Sequence, residues 1–496
     1  MKKIIALILT LLVFAAGMTA MYFSYDFKYL DSTYRWKAFY ALPDNTVDVL
    51  GLGTSHTYES INTAVLWDKY GVTAFDLCGT AQPMTNTYWF FKEALKTQSP
   101  KVALLDLYSM CLNDEFPDEG NGIKNTYGMR MSRNKLDAIN ATFESPRQYY
   151  YSILQYHSRY GDLTAEDFFP YLGNERMYKD YKGFYCHFET KDLSEYGNLS
   201  DCTGFEPLSE KNKQALLDII VLAKQNNVNL VLLGLPFGAT SFNEEIYNTC
   251  GLIARANGVP FYDFLSDYYG ETGIDYTSDF ADRQHLNDLG SEKITDWIYD
   301  NILIGCDLPS HRGESGYETW DRDAEVWERQ QKNQKLASCD EISSYAGMLS
   351  VDSDYTVLVT SNGIGGVNVE NALEEGMFDC LDALGIGDGR RIYGDGGWIV
   401  RGGEVEYQSS MRDAGMVKTY ELSRLHDAAL ARVAAGGDKD AEIFRNTVLI
   451  DGEDVTGGRM HTLYITVYDS VTDEVIDTVY FDYRQLTFGH VDTAEE

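Results

Sequence analysis

Three residues far apart in the chain could together do nucleophilic chemistry. Ser55 lies in Gly51-Leu52-Gly53-Thr54-Ser55-His56, and Asp282 and His285 lie in Asp282-Arg283-Gln284-His285-Leu286-Asn287. A serine hydroxyl is a weak nucleophile until a base takes its proton. A histidine can take that proton, and a carboxylate on its other ring nitrogen orients the imidazole and stabilises its charged form. An Asp and a His three apart in a turn can face the same way, and the order Ser, Asp, His along the chain is compatible with this arrangement. Gly53 and Thr54 are small, which lets backbone amides approach a substrate. The simpler roles are a helix cap for Ser55, a turn or cap for Asp282 and a structural histidine at His285. His56 is expected to make local hydrogen bonds and shape the pocket.

The elements that must position these residues alternate. Short apolar runs at Val47–Gly51, Val72–Leu77, Val102–Leu107, Leu230–Leu235 and Val259–Phe264 are separated by helical stretches such as Leu216–Ala223. Short buried strands between helices predict an α/β fold, a parallel sheet covered on both faces. Ser55 then sits just past the carboxyl end of the first strand, where such sheets bind ligands. The polar, Tyr-rich stretch 112–204 is an expected insertion that roofs the site, with a helix over Arg147–Tyr156, and a helix over Ser291–Leu303 closes the domain. A dinucleotide fold is disfavoured because Gly51-Leu52-Gly53 lacks the third glycine. The Gly-x-Ser-x-Gly elbow is also absent, since position 57 is Thr.

Gly53-Thr54-Ser55-His56 resembles block one of the SGNH (GDSL-like) hydrolases, in the Gly-x-Ser-His variant of extracellular acyl-transfer branches. Asp282-x-x-His285-Leu286-Asn287 resembles their final block, and Gly79 in Leu77-Cys78-Gly79-Thr80-Ala81-Gln82-Pro83 matches the block-two glycine. The resemblance covers roughly 46–303. It implies a flavodoxin-like parallel sheet between helices, with Ser55, Asp282 and His285 catalytic. It also implies an oxyanion hole made by the amides of Ser55 and Gly79, donors that stabilise charge developing in the transition state. Block three departs: Leu105-Asp106-Leu107-Tyr108-Ser109 lacks the Gly-x-Asn-Asp pattern, as acyl-transfer branches also do. Gln82 or Asn86 would supply a side-chain donor instead, or else serve the turn. The implied activity is a serine esterase or O-acyl(acetyl)transferase outside the cytoplasm, acting on acyl esters of surface or extracellular polysaccharide, with no cofactor. The other hypothesis is a non-catalytic glycan-binding or assembly protein with a degenerate SGNH core.

The 496 residues carry a formal charge of −35, which repels nucleic acid backbones and anionic lipid headgroups. Neutral glycans and divalent cations stay compatible. Met1-Lys2-Lys3 followed by an apolar run to about Phe23 is an export signal, either an uncleaved anchor over 1–24 or a cleaved peptide, so that the rest lies outside the cytoplasm. A membrane-bound acyl donor is then a further expected partner. The eight cysteines permit disulfides, Cys186–Cys202 being the first pair to test, with free thiols the alternative. His157, His187, His311, His426, His461 and His490 show no metal-ligand spacing.

A stem is expected over 25–45, an exposed charged connector with Trp320 and Trp327 over 304–344, a second, smaller α+β domain over 345–488 with a hairpin turn at Ser470–Asp473, and a loose acidic tail over 489–496. Asn446–Gly452, Gly457-Gly458-Arg459, Leu463–Asp469 and Val479–Asp482 resemble the interleukin-like EMT inducer (ILEI) domain. Some relatives of that domain are linked to carbohydrate, which implies a glycan-holding module, with Trp398 the candidate contact; a packing or partner domain is the alternative.

Overall fold

The computed structural model describes residues 2–25, 30–112, 116, 119–151, 161, 181–362, 377–386, 396–409, 415–424, 426–434 and 444–491. The chain divides into two compact units, Met1–Ala324 and Glu325–Glu496.

The first unit opens with α1 (Lys2–Tyr25) and α2 (Leu30–Ala41). Within α1 the 19 residues Lys3–Met21 are apolar and long enough to cross a membrane, and none of that stretch is buried. At 1.5 Å per residue roughly 20 residues span a hydrocarbon core. There follow β1 (Val49–Leu52), α3 (Ser55–Tyr58), α4 (Thr63–Tyr70), β2 (Ala74–Asp76), α5 (Met84–Ala94), β3 (Val102–Asp106) and α6 (Tyr108–Cys111). Next come α7 (Glu119–Tyr127) and α8 (Arg133–Thr142), then the helix Glu210–Gln225, β4 (Asn229–Gly234), the helix Ser241–Asn257, β5 (Phe261–Asp263) and the helix Asp288–Asn301. The five strands form one parallel sheet in the order β2-β1-β3-β4-β5, the flavodoxin-like doubly wound arrangement.

Alternation along the strands explains why the sequence runs are continuously apolar. Leu50, Leu52, Ala103, Leu105, Leu230 and Leu232 pack on one face with α5 and the helix Glu210–Gln225. Val49, Val102, Leu104, Val231 and Leu233 pack on the other with α4 and the helix Asp288–Asn301. Successive side chains point to opposite faces, so a strand covered on both sides must be apolar at every position.

The stem and part of the connector expected to be exposed are packed. The stem contains α2, whose Trp36 and Phe39 lie in the core of the unit. The charged connector forms the helix Glu318–Ala337, and Trp320 joins the same core. Both helices are rich in polar residues, so a few buried aromatics on one side leave little trace in composition. Of the helix expected at Arg147–Tyr156, the described part holds a short 3₁₀ turn at Pro146–Tyr149, and the rest, from 152 on, lies outside the described residues. All eight cysteines are free: Cys186 Sγ donates to the carbonyl of His187 and Cys202 Sγ to that of Ser241.

In the second unit, β6 (Tyr355–Ser361) to β15 (Thr487–His490) form two antiparallel sheets. Among the described residues one has six strands in the order β15-β14-β13-β6-β7-β8, with β7 at Gly396–Arg401 and β8 at Glu404–Ser409, and the other has four in the order β12-β11-β10-β9, with β9 at Gly415–Glu421, β10 at Asp427–Ala434, β11 at Phe444–Ile450 and β12 at Glu453–Asp454. β13 (Thr462–Asp469) and β14 (Glu474–Asp482) flank the turn at Ser470–Asp473. The helices Ile342–Ser350 and Met377–Ala383 cover one face of the larger sheet, while Leu358 and Ile399 on its other face pack on Leu430 and Val448 of the smaller sheet. Trp398 is 2 % exposed, in the core, so it is not placed to hold a glycan.

Candidate active site

The nucleophile loop is built from below by β1 and β3. Gly53 has φ +143°, and an added Cβ would collide with Thr57 Oγ1 and lie 3.0 Å from Asp106 Cβ, so only glycine fits. Thr54 caps α3: its hydroxyl oxygen accepts from the His56 amide at 3.2 Å and lies 3.5 Å from Asp106 Oδ2. Asp106 ends β3. Burial pushes its carboxyl up to about 7 against the hydrogen bonds it receives. Ser55 is thereby presented as the first residue of α3, at the carboxyl end of the sheet.

His285 meets it from a turn held at both ends. The Ala281 amide donates to the His285 carbonyl, and Asn287 caps the closing helix through the Gly290 amide. Asp282 Oδ1 accepts from the amides of Gln284 and His285 at 2.6 and 3.0 Å, while Oδ2 lies 2.9 Å from His285 Nδ1. His285 Nε2 lies 2.9 Å from Ser55 Oγ. The structure therefore brings together all three predicted residues in one hydrogen-bonded line. Burial works to raise the Asp282 carboxyl, but the bonds from His285 and from the Gln284 amide outweigh it and hold it below the ordinary carboxylate range.

A second carboxylate was not foreseen. Glu59 Oε2 lies 3.4 Å from His285 Nδ1 and 3.2 Å from His187 Nε2. Glu59 is 5 % exposed where Asp282 is 56 % exposed, so the imidazole faces one buried and one wet carboxylate. The ion-pair contact with Glu59 raises His187 above the ordinary histidine value, against burial. A signal existed: Glu59 is four residues after Ser55, on the same side of a helical turn.

The local hydrogen bond expected of His56 is made by its amide, to Thr54, and not by its ring. Its ring stacks on Tyr108 at 3.6 Å between centroids and meets the edge of Phe237 at 5.0 Å, and neither ring nitrogen has a hydrogen-bond partner among the described residues. Burial, and then the nearby His285, keep it well below the ordinary histidine value, hence neutral.

Gly79 stands on the loop after β2. Among the described residues neither its amide nor that of Ser55 donates to a protein acceptor, which leaves both available to an incoming oxygen. A Cβ at Gly79 would collide with Oδ1 of Asn125, a residue of α7 that also donates to the Thr80 carbonyl at 3.1 Å. Gln82 spends its amide nitrogen on Thr87 Oγ1 at 2.9 Å. Asn86 accepts from Thr142 Oγ1 through its carbonyl oxygen at 2.5 Å. Both side chains are buried, and Gln82 Oε1 and Asn86 Nδ2 have no hydrogen-bond partner among the described residues. Among the described residues no cluster of three or more His, Cys, Asp or Glu side chains is arranged to hold a metal.

The sheet order and the flanking helices define the first unit as a doubly wound, flavodoxin-like α/β fold with Ser55 at the carboxyl end of its sheet. No family model matches the chain, and no curated protein matches it. Among solved structures it is similar to a chain from Desulfitobacterium hafniense DCB-2 assigned to the G-D-S-L family of lipolytic proteins, at 10% identity and a TM-score of 0.26, covering 51% of this chain and 97% of that one.

Proposed function

We propose that this protein is a membrane-tethered serine esterase or O-acyltransferase that works outside the cytoplasm on acyl esters of cell-surface or extracellular polysaccharide. The observation that carries the reading is the line Ser55 Oγ, His285 Nε2, His285 Nδ1, Asp282 Oδ2, with 2.9 Å at each hydrogen bond.

In this reading His285 removes the Ser55 proton as Oγ attacks the acyl carbonyl carbon. The carbonyl oxygen takes up negative charge, and the unengaged amides of Ser55 and Gly79 donate to it. Collapse expels the alcohol oxygen, which receives the proton from His285 Nε2, and leaves the acyl group on Ser55. Water or a sugar hydroxyl then attacks the acyl-enzyme with His285 again as base, and Ser55 departs with the returned proton. Hydrolysis and transfer use the same groups, and exclusion of water favours transfer.

The membrane tether is supported by the length and apolar character of α1. The polysaccharide substrate is supported by the acidic surface, which tolerates neutral glycans, and by the resemblance to acyl-transfer branches. A membrane-bound protein that delivers the acyl donor belongs to the transferase form of the proposal. The ILEI-like second unit is proposed as an accessory module; its β-rich fold supports that, and the buried position of Trp398 removes that residue as its glycan contact.

The test is turnover of a small acetyl ester by the full chain in detergent. The wild type is expected to release acetate and Ser55→Ala to lose it; equal turnover by the two would remove the mechanism.

A further inference from the structure

We infer that Arg35 is a positioning residue for the oxyanion hole: from the helix that follows the membrane-length segment, it sets the plane of the Cys78–Gly79 peptide. The inference rests on the esterase reading above. Arg35 Nη1 donates to the Cys78 carbonyl oxygen at 2.8 Å, across 43 positions of sequence. That carbonyl shares a planar unit with the Gly79 amide. The Cys78–Gly79 peptide is trans, no cis peptide occurring among the described residues, so the N–H points opposite to the C=O and therefore away from α2. Holding the carbonyl fixes where the unengaged N–H aims. A charged donor on the carbonyl also polarises the peptide and strengthens its N–H as a donor, the more so in a buried setting.

The same guanidinium also lies against the helix that Ser55 begins. Its carbon lies 4.4 Å from the ring centroid of Tyr58, the last residue of the helix that begins at Ser55. The Tyr58 hydroxyl in turn lies 3.2 Å from Thr80 Oγ1, one residue past Gly79. Arg35 thus touches both segments whose amides are available. Its own helix is fixed by Trp36 and Phe39 in the core and by Ser32 Oγ, which accepts from the Gly128 amide at 3.1 Å. A lysine would supply the charge but not the flat face that lies against Tyr58.

The test uses the full chain in detergent with a small acetyl ester and a fluorophosphonate. Arg35→Gln and Arg35→Ala are expected to lower kcat by about tenfold or more, part of the loss seen when an oxyanion donor is removed, with KM within about twofold and an unchanged melting temperature. Arg35→Lys is expected to recover part of that loss. Added millimolar guanidinium is expected to restore Arg35→Ala partly and to do nothing for Ser55→Ala. Variants that melt normally and match the wild-type kcat would overturn the inference alone. A variant whose loss tracks unfolding, with no rescue by Lys or guanidinium, would also overturn it, by making Arg35 structural. Wild-type protein that neither labels nor turns over ester would remove the esterase reading and this inference with it.

Discussion

Glu59 lies 3.4 Å from the same His285 nitrogen that hydrogen-bonds Asp282 at 2.9 Å, so the imidazole stands between a buried and an exposed carboxylate and is bonded to the exposed one. A charge near His285 is screened less when its carrier is buried. In the proposed mechanism the role given to Glu59 is its charge beside the ring, and that given to Asp282 is the ring's orientation.

This division predicts partial redundancy. Asp282→Asn is expected to lose roughly 10²-fold in kcat and Glu59→Gln roughly tenfold. The double variant should lose on the order of 10⁴-fold, the scale of losing the carboxylate from a serine triad. Steady-state kinetics of the three variants checks this; a double variant no worse than Asp282→Asn would deny Glu59 its part.

Stability should fall as pH rises from mildly acidic values. Asp106 is pushed up to about 7 by burial, and Asp263 to about 8 by burial and the neighbouring Glu244. A carboxyl whose folded value is raised favours the protonated folded state, so its contribution is fully present below the unfolded value near 4 and is lost as pH climbs through the folded value. His187, raised by Glu59, loses its contribution in the same upward direction. Asp282 acts oppositely, but only below the ordinary carboxylate range. The melting temperature is expected to be higher at pH 5.5 than at pH 8, values chosen to bracket the folded titrations. Asp106→Asn should flatten that slope; a slope unchanged in this variant would contradict the assignment.

Gly79→Ala should cost activity and stability together, because its methyl meets Asn125 Oδ1. A loss on the order of 1–3 kcal/mol is expected for such overpacking. Adding Asn125→Gly should relieve the clash and return part of the stability in a thermal melt. A Gly79→Ala protein as stable as the wild type would mean the contact is looser than it stands here.

The strands and the three central residues were legible because their signals are local. Runs such as Val102–Asp106 are apolar at every position because both faces are covered, and Ser55 and Asp282-x-x-His285 sit in short, dense motifs. What escaped is long-range or diluted. Arg35 meets Cys78 across 43 positions with no periodic pattern to announce it. Trp320 is buried among residues whose average is strongly polar. Asn125 reaches Gly79 from a polar insertion whose helices are short. Glu59 is readable in principle from helical spacing, one turn after Ser55.

The most direct test is where a fluorophosphonate reacts on the full chain, read by intact mass and then by peptide mapping. One adduct per chain, on Ser55, and its disappearance in His285→Ala despite an unchanged melt, is the expected result. An unlabelled Ser55 in protein that melts cooperatively, or labelling that survives loss of His285, would contradict the account.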